Sequence, residues 1–325
     1  MAWSSAAISA GEQAAYLADK PLLIGTNAAE FYSNAAKWVG WTSGGRDYGQ
    51  SSDTTCTQAD EPTAWTHNRS AAERSGPSAV ASARGYALIF ELDGTVDFDS
   101  IVLANHNFAA VTAAHTATVD VWIADDGSFG AAPRRIARWS SSLLTGPRLV
   151  SYDLNDLVTP GAGVYARFSG VTWLQVAVYA ASTVATLPKI GEVWLGRRRQ
   201  LGEAPWAPWD ADGYESDVVD AYARSGAGAR VVRSSGGRVW RPRWTSQGTD
   251  DPHGLSIGGA VRTWWTSDVE HGSKAGVWVP QPYSAGNQAH LVLPSPSLRL
   301  PQRPASLADV ELELRELAPY RSGEG

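Results

Sequence analysis

The sequence predicts an all-β protein, a β-sandwich followed by a second, smaller β-sandwich or barrel domain. Three observations lead there. Between Tyr86 and Gly196 the segments YALIFEL, FDSIVLANHNF, TVDVWIADDGSF, VYARF, VTWLQVAVY and KIGEVWLG carry apolar residues at every second position, the period of a pleated strand with one buried face. Turn residues separate these segments, so they are short and antiparallel. From about Glu215 onwards a second series follows: ARVVRS, GRVWRPRW, LSIGGAVRTWWT, AGVWVPQP, AHLVLP and DVELELREL.

In chain order, residues 1–26 form an Ala-rich N-terminal arm with mild helical character before PLLIG, read as a short helix or an extended arm. No clean strand in this arm closes the second domain, and whether it packs there is left open. Residues 27–84 have the Gly, Ser, Thr and Ala texture of long ordered loops with scattered aromatics. The strand-dense zone completes a first domain over 27–198. Residues 199–214, with Pro, Gly, aromatics and charges together, read as a linker. Residues 215–325 form the second domain. In its terminal DVELELREL, Val310, Leu312 and Leu314 alternate with Glu311, Glu313 and Arg315, a strand with one wet face. Read as a strand, LSIGGAVRTWWT would send the adjacent Trp264 and Trp265 to opposite faces. PSPSLRLPQRP limits ladder pairing and fits sheet edges or extended arms.

Composition narrows the function. Of 325 residues, 43% are hydrophobic and only 18% charged, which suits a protein whose surface is partly covered by neighbours. The formal net charge of −6 opposes a general nucleic-acid role, because reading phosphates needs an excess of Lys and Arg. Lys20, Lys37, Lys189 and Lys274 are the only lysines, so arginine supplies most of the positive charge. Its planar guanidinium suits partly desolvated protein contacts. A lone Cys56 allows no intrachain disulfide. No basic start followed by an apolar run marks a signal peptide, and no stretch reaches the roughly 20 apolar residues of a membrane span. The expectation is a chain made soluble in the cytoplasm, with no membrane contact.

The segments ELDGTVDFDSIVLANHNF, TVDVWIADDGSF, WLQVAVYA and PKIGEVWLGRR resemble the galactose-binding-like jelly roll of discoidin domains and of many tail proteins of tailed bacteriophages. With GARVVRSSGGRVWRPRW and DVELELREL, the layout is similar to tail proteins of the distal-tail type. The resemblance implies a structural subunit of a phage or prophage-derived tail. Such a subunit assembles as a homo-oligomeric ring between tail tube and tail tip, in contact with tube, hub and tip proteins and located in the virion tail. It implies no enzyme activity and no cofactor. The alternative from another class is a carbohydrate-binding module for adsorption to a host-surface glycan; a hydrolase is the third.

Candidate residues follow from these alternatives. Trp41, Tyr48, Trp65, His67 and Asn68 lie in the loop-rich segment, where a ring can stack on the apolar face of a sugar and polar groups can meet its hydroxyls. The competing reading is packing and local backbone hydrogen bonds. Trp206 and Trp209 pin the linker or anchor an interface. Arg197, Arg198 and Arg199 after the last sandwich strand, and Arg241 and Arg243 in the second domain, are candidates for salt-bridged contacts with neighbouring subunits. Against this stands a solvated face with intrachain acidic partners. The fifteen tryptophans otherwise read as core, with Trp122, Trp173 and Trp194 filling strand faces. No catalytic residue is nominated, since any pair of carboxylates could be. No metal site is expected: HExxH and paired cysteines are missing, and Asp125 and Asp126 in IADDGSF read as a turn, with calcium as the functional alternative.

Overall fold

The structure, a computed structural model, describes residues 3–25, 37–41, 58–64, 76, 79, 83, 85–108, 111, 118–125, 127, 133–140, 148–151, 166–179, 186–202, 205, 213–215, 218–222, 228–232, 237–248, 257–282, 289–295, 298, 302–303 and 307–316. Its first strands are β1 (Ser4–Ala7), β2 (Leu22–Ile24), β3 (Lys37–Trp41), β4 (Gln58–Ala64), β5 (Gly85–Phe98), β6 (Ser100–His106), β7 (Thr118–Ala124), β8 (Arg134–Ser140), β9 (Arg148–Ser151), β10 (Ala166–Tyr179), β11 (Ile190–Gly196) and β12 (Arg198–Gln200). They continue as β13 (Gly213–Glu215), β14 (Val218–Tyr222), β15 (Gly228–Val232), β16 (Gly237–Trp240), β17 (Arg243–Gly248), β18 (Gly276–Val279), β19 (His290–Pro294), β20 (Gln302–Arg303), β21 (Leu307–Glu311) and β22 (Leu314–Glu316). Helices α1 (Ala10–Leu17) and α2 (Ile257–Thr263) interrupt them, and α2 runs directly into a π-helical turn over Trp264–Asp268. The protein is therefore mostly β, in several antiparallel sheets.

The first sheet has the order β4-β3-β5-β10-β7-β8, with β1 added on β10. One face carries Leu88, Phe90, Val119, Val121, Leu174, Val176 and Val178, each at alternate positions. It packs on Ile101, Leu103, Val193 and Leu195 of the second sheet, β11-β6-β9, and the two make the sandwich that alternation predicts. Fully burying such a side chain stabilises by about 1.5–3 kcal/mol, so this core dominates the energetics of the first domain. The other face of the first sheet is covered too, around Val39, Ile89, Trp122 and Ala177.

Burial of β11 corrects the one-wet-face reading of KIGEVWLG, because all seven of its residues are buried. Val193 and Leu195 face the sandwich core, whereas Trp194, with Val102 and Ala104 of β6, packs on Leu22, Ile24, Val277, Val279 and Leu291. Those residues belong to a third sheet, β12-β2-β18-β19-β22-β16-β13. Strands β11 and β6 are thus the shared middle layer of both domains, and a strand buried on both faces reads as a near-continuous apolar run, broken in β11 by the buried Glu192. Beyond the third sheet, Leu23, Trp240, Trp278, Val292 and Leu314 are covered by α2 and by Trp244 and Val310 of a fourth sheet, β17-β21-β20.

This stacking revises the expected boundaries. Residues 198–200, placed at the end of the first domain and the start of a linker, are strand β12, paired with Leu22–Ile24 and hydrogen-bonded onward from Leu201 N–H to the Pro21 carbonyl. The N-terminal arm is divided between both domains: β1 joins the first sheet, and β2, the strand the sequence did not reveal, sits between β12 and β18 in the third. Between them α1 begins at a capping box, in which Ser9 Oγ accepts from the Glu12 N–H (3.2 Å) and Glu12 Oε2 accepts from the Ser9 N–H (3.0 Å).

The segment LSIGGAVRTWWT is helical over Ile257–Thr263, not a strand. Ile257, Ala260, Val261 and Trp264 are buried together, the i, i+3, i+4, i+7 stripe of a helix face. Trp264 and Trp265 are therefore about 100° apart, one in the core and one partly buried beside it, its indole N–H donating to the Ser295 carbonyl (3.1 Å). DVELELREL keeps its alternation, with Val310, Leu312 and Leu314 buried, but changes sheets midway. Its first half pairs with β17 in the fourth sheet and its second with β16 in the third, and the Leu312 N–H donates to the Pro242 carbonyl at the bend.

Candidate functional site

The three consecutive arginines lie where the layers meet. Antiparallel pairing of β11 with β6 sets Gly196 opposite Ser100, which brings the residues after Gly196 beside those before Ser100. Arg197 accordingly pairs with Asp97 at 2.6 Å, both side chains nearly half exposed. Arg198 is buried. Its backbone N–H donates to Asp99 Oδ1 (2.7 Å), Nη2 donates to the Asp99 carbonyl (2.8 Å), and the guanidinium lies 5.6 Å over the Tyr16 ring of α1. Asp99, also fully buried, accepts from Nε and Nη2 of Arg167 at 3.1 and 3.0 Å, and Arg167 stands 3.6 Å from Glu12 of α1. Arg199 donates through Nε and Nη2 to Asp268 of the π-helical turn, at 2.8 and 3.0 Å.

One tripeptide thus ties the sandwich, α1 and the helical cap of the second domain. The expectation that Arg198 meets a neighbouring subunit is corrected: a guanidinium sealed inside its own chain cannot reach another. The Arg199 pKa is raised, first by the hydrogen bond to Asp268, against an opposing push from burial, and then by the charges of Asp268, Asp99 and Glu12.

Arg241 and Arg243 lie at the bend between the third and fourth sheets and are exposed. Both have acidic partners in the chain. Arg241 Nε donates to Glu313 Oε2 (3.1 Å), Arg315 donates through Nε and Nη2 to Glu313 Oε1 (3.2 and 2.9 Å), and Arg243 Nη2 donates to Asp309 Oδ2 (3.2 Å). The Arg238 N–H donates to Glu316 Oε2 (3.1 Å). The bend therefore carries interleaved charges of both signs instead of an uncompensated positive strip. Burial pushes the Glu313 pKa up, but the hydrogen bonds from Arg315 and Arg241, together with their charges, pull it below the ordinary glutamate value. Trp240 and Trp244 lie on the inner side and are buried.

Of the sugar-stacking candidates, Trp41 is the last residue of β3, opposite Gln58 of β4 and Gly85 of β5. Tyr48, Trp65, His67 and Asn68 lie outside the described residues, as do Trp206 and Trp209 of the linker. Trp122 and Trp194 are core, as their strand positions predict, and Trp173 is partly buried on the outer face of the first sheet. Asp125 accepts from the Trp3 N–H (2.9 Å), so it anchors the start of β1. Among the described residues no group of three His, Cys, Asp or Glu side chains could hold a metal ion.

Sequence reasoning missed Asp99, Arg167 and Asp268, the partners that give the arginine run its structural role. A signal existed for one of them: Asp97 and Asp99 alternate just before β6, and RRR follows the strand that pairs with it. Also missed was Arg134, whose guanidinium stands 5.6 Å over the Trp3 ring. No protein-family model, curated protein or solved structure matches this chain.

Proposed function

We propose that this chain is a structural subunit of a bacteriophage or prophage-derived tail, a distal-tail or baseplate component that forms a ring of identical copies between tail tube and tail tip. The observation that carries the reading is the shared middle sheet. Because β11 and β6 are buried on both faces, the two β domains join through a hydrophobic core and three successive arginine ion pairs instead of a hinge. A part that transmits load along a tail needs that construction, whereas a tethered binding module works on a flexible linker. Low charge content and the segment likenesses to distal-tail proteins point the same way.

Light scattering coupled to size exclusion, followed by negative-stain microscopy of the full chain, tests this. A closed ring and antibody labelling at one level of a tail particle are expected. A monomer at all concentrations that is retained on a glycan array would replace this reading with the carbohydrate-binding one.

A further inference from the structure

Residues 3–17 are held to the rest of the protein at separated points. All four side chains of β1 are exposed, so the strand contributes a backbone ladder, from Ser4 opposite Ser169 to Ala7 opposite Ala166 of β10, and no core. Its apolar hold is Trp3, just ahead of it. That ring meets Phe168 edge-on at 6.3 Å and lies 5.6 Å beneath the Arg134 guanidinium, while the Trp3 backbone N–H donates to Asp125 Oδ1 (2.9 Å). After β1, Ile8 enters the core between the second and third sheets. In α1 the one buried side chain is Tyr16, set against Arg198, its hydroxyl donating to the Pro282 carbonyl (3.3 Å). The capping box of Ser9 and Glu12 lies wholly within the arm, so α1 starts whether or not the arm is docked.

A strand that brings ladder bonds and a few seated side chains is bound as a peptide is bound in β-strand addition. Phe168, Arg134, Asp125, Arg198 and Pro282, which receive it, all belong to the body of the chain, so the same arm of another copy fits them equally. The link between arm and body is residues 18–21. Asp19 there is turned to a φ of 59°, the left-handed region that is costly for a residue with a Cβ, and Pro21 disfavours a helical Lys20. Gln200 Nε2 fixes the body side of the link, donating to the carbonyls of Lys20 (2.8 Å) and Pro21 (3.2 Å). Short links under strain invite exchange, because extension releases the strain and every contact of the arm is remade on a neighbour.

We infer that residues 3–17 of one copy seat on β10 and Arg134 of the next, so that exchanged arms join a homo-oligomer head to tail. The inference rests on the ring proposed above and names the element that links its copies. Opposed Cα atoms of an antiparallel pair lie about 4.5–5.5 Å apart, within reach of a disulfide, so Ser4→Cys and Ser169→Cys report where the arm sits. Both changes are made in the full chain carrying Cys56→Ser. Co-expressed on separate chains and oxidised, they should give a disulfide between two chains, which an arm docked on its own body cannot form. Placed on one chain, they should give a non-reducing ladder that rises past the dimer, and thiol titration shows that the bond has formed. Trp3→Ala should weaken assembly about tenfold or more by size exclusion with light scattering, with the circular dichroism spectrum unchanged. An assembled ring with no disulfide between chains, a ladder that stops at the dimer, or assembly indifferent to Trp3→Ala overturns this inference and leaves the tail-ring reading standing. A wild-type chain that remains monomeric sinks both.

Discussion

Replacing Asp99 by Ala should unfold the junction more effectively than its distance from any surface suggests. The carboxylate is fully buried and receives four donors: the Arg198 N–H at 2.7 Å, two Arg167 nitrogens at 3.0 and 3.1 Å, and Ser100 Oγ at 3.3 Å. Its removal takes the carboxylate from the buried Arg198 guanidinium, which keeps only neutral contacts such as the Asp99 carbonyl and the Tyr16 ring, and breaking a buried ion pair from one side costs about 3–5 kcal/mol. Arg167, a third exposed and near Glu12, can turn towards water and softens the loss. Unfolding entropy near 2.1 cal/mol/K per residue makes the total for 325 residues roughly 0.7 kcal/mol/K, so the melting temperature should fall by about 4–7 °C. Scanning calorimetry measures this directly. The discriminating arm is Asp99→Ala/Arg198→Met, in which the stranded charge is gone: it should recover most of the loss. A single-variant loss below about 1 kcal/mol, or a double variant no better than the single, would refute the idea that desolvated charge holds the junction.

Other consequences of the layered core can be checked in the same way. Trp194→Ala empties the space between the second and third sheets and removes the donor to the Gly25 carbonyl (2.9 Å), so denaturant titration should show a loss of about 3–5 kcal/mol in one transition; two separated transitions would show that the domains melt independently. Gly276→Ala should cost about 1–3 kcal/mol by chemical denaturation, because the new methyl would lie 2.6 Å from the buried Trp264 ring and 3.0 Å from the Ile24 carbonyl, neither free to retreat. The Glu313 pKa is lowered in the folded state, so its contribution is full above the unfolded value near 4.5 and disappears as pH falls through the folded value. Melting temperature measured from pH 6 down to 3 should therefore decline less steeply for Glu313→Gln than for the parent chain.

Strand positions were readable because alternation is a local property, although β5, β7 and β10 are covered on both faces. β5, β7, β10 and the Val310, Leu312, Leu314 series all lie where period two places them. What failed had non-local or mixed causes. Leu22–Ile24 is three apolar residues with no alternation, and it becomes a strand because β12 and β18, far along the chain, offer it two ladders. α2 holds two glycines and a β-branched start, so its propensity is poor, and the buried stripe from Ile257 to Trp264 outweighs it. Arg198 reads as a surface cation beside its two neighbours until the pairing of β11 with β6 sets Asp99 against it.

By itself the sequence determined the chemistry of each segment: alternating stretches that must bury at least one side, an Ala-rich arm with mild helical character, arginine in place of lysine, and a net negative charge. Tertiary structure alone decided which faces meet, because burial of β11 on both sides and the pairing of Asp99 with Arg198 depend on residues far apart in sequence, brought together at a cost in chain entropy that only the finished core offsets.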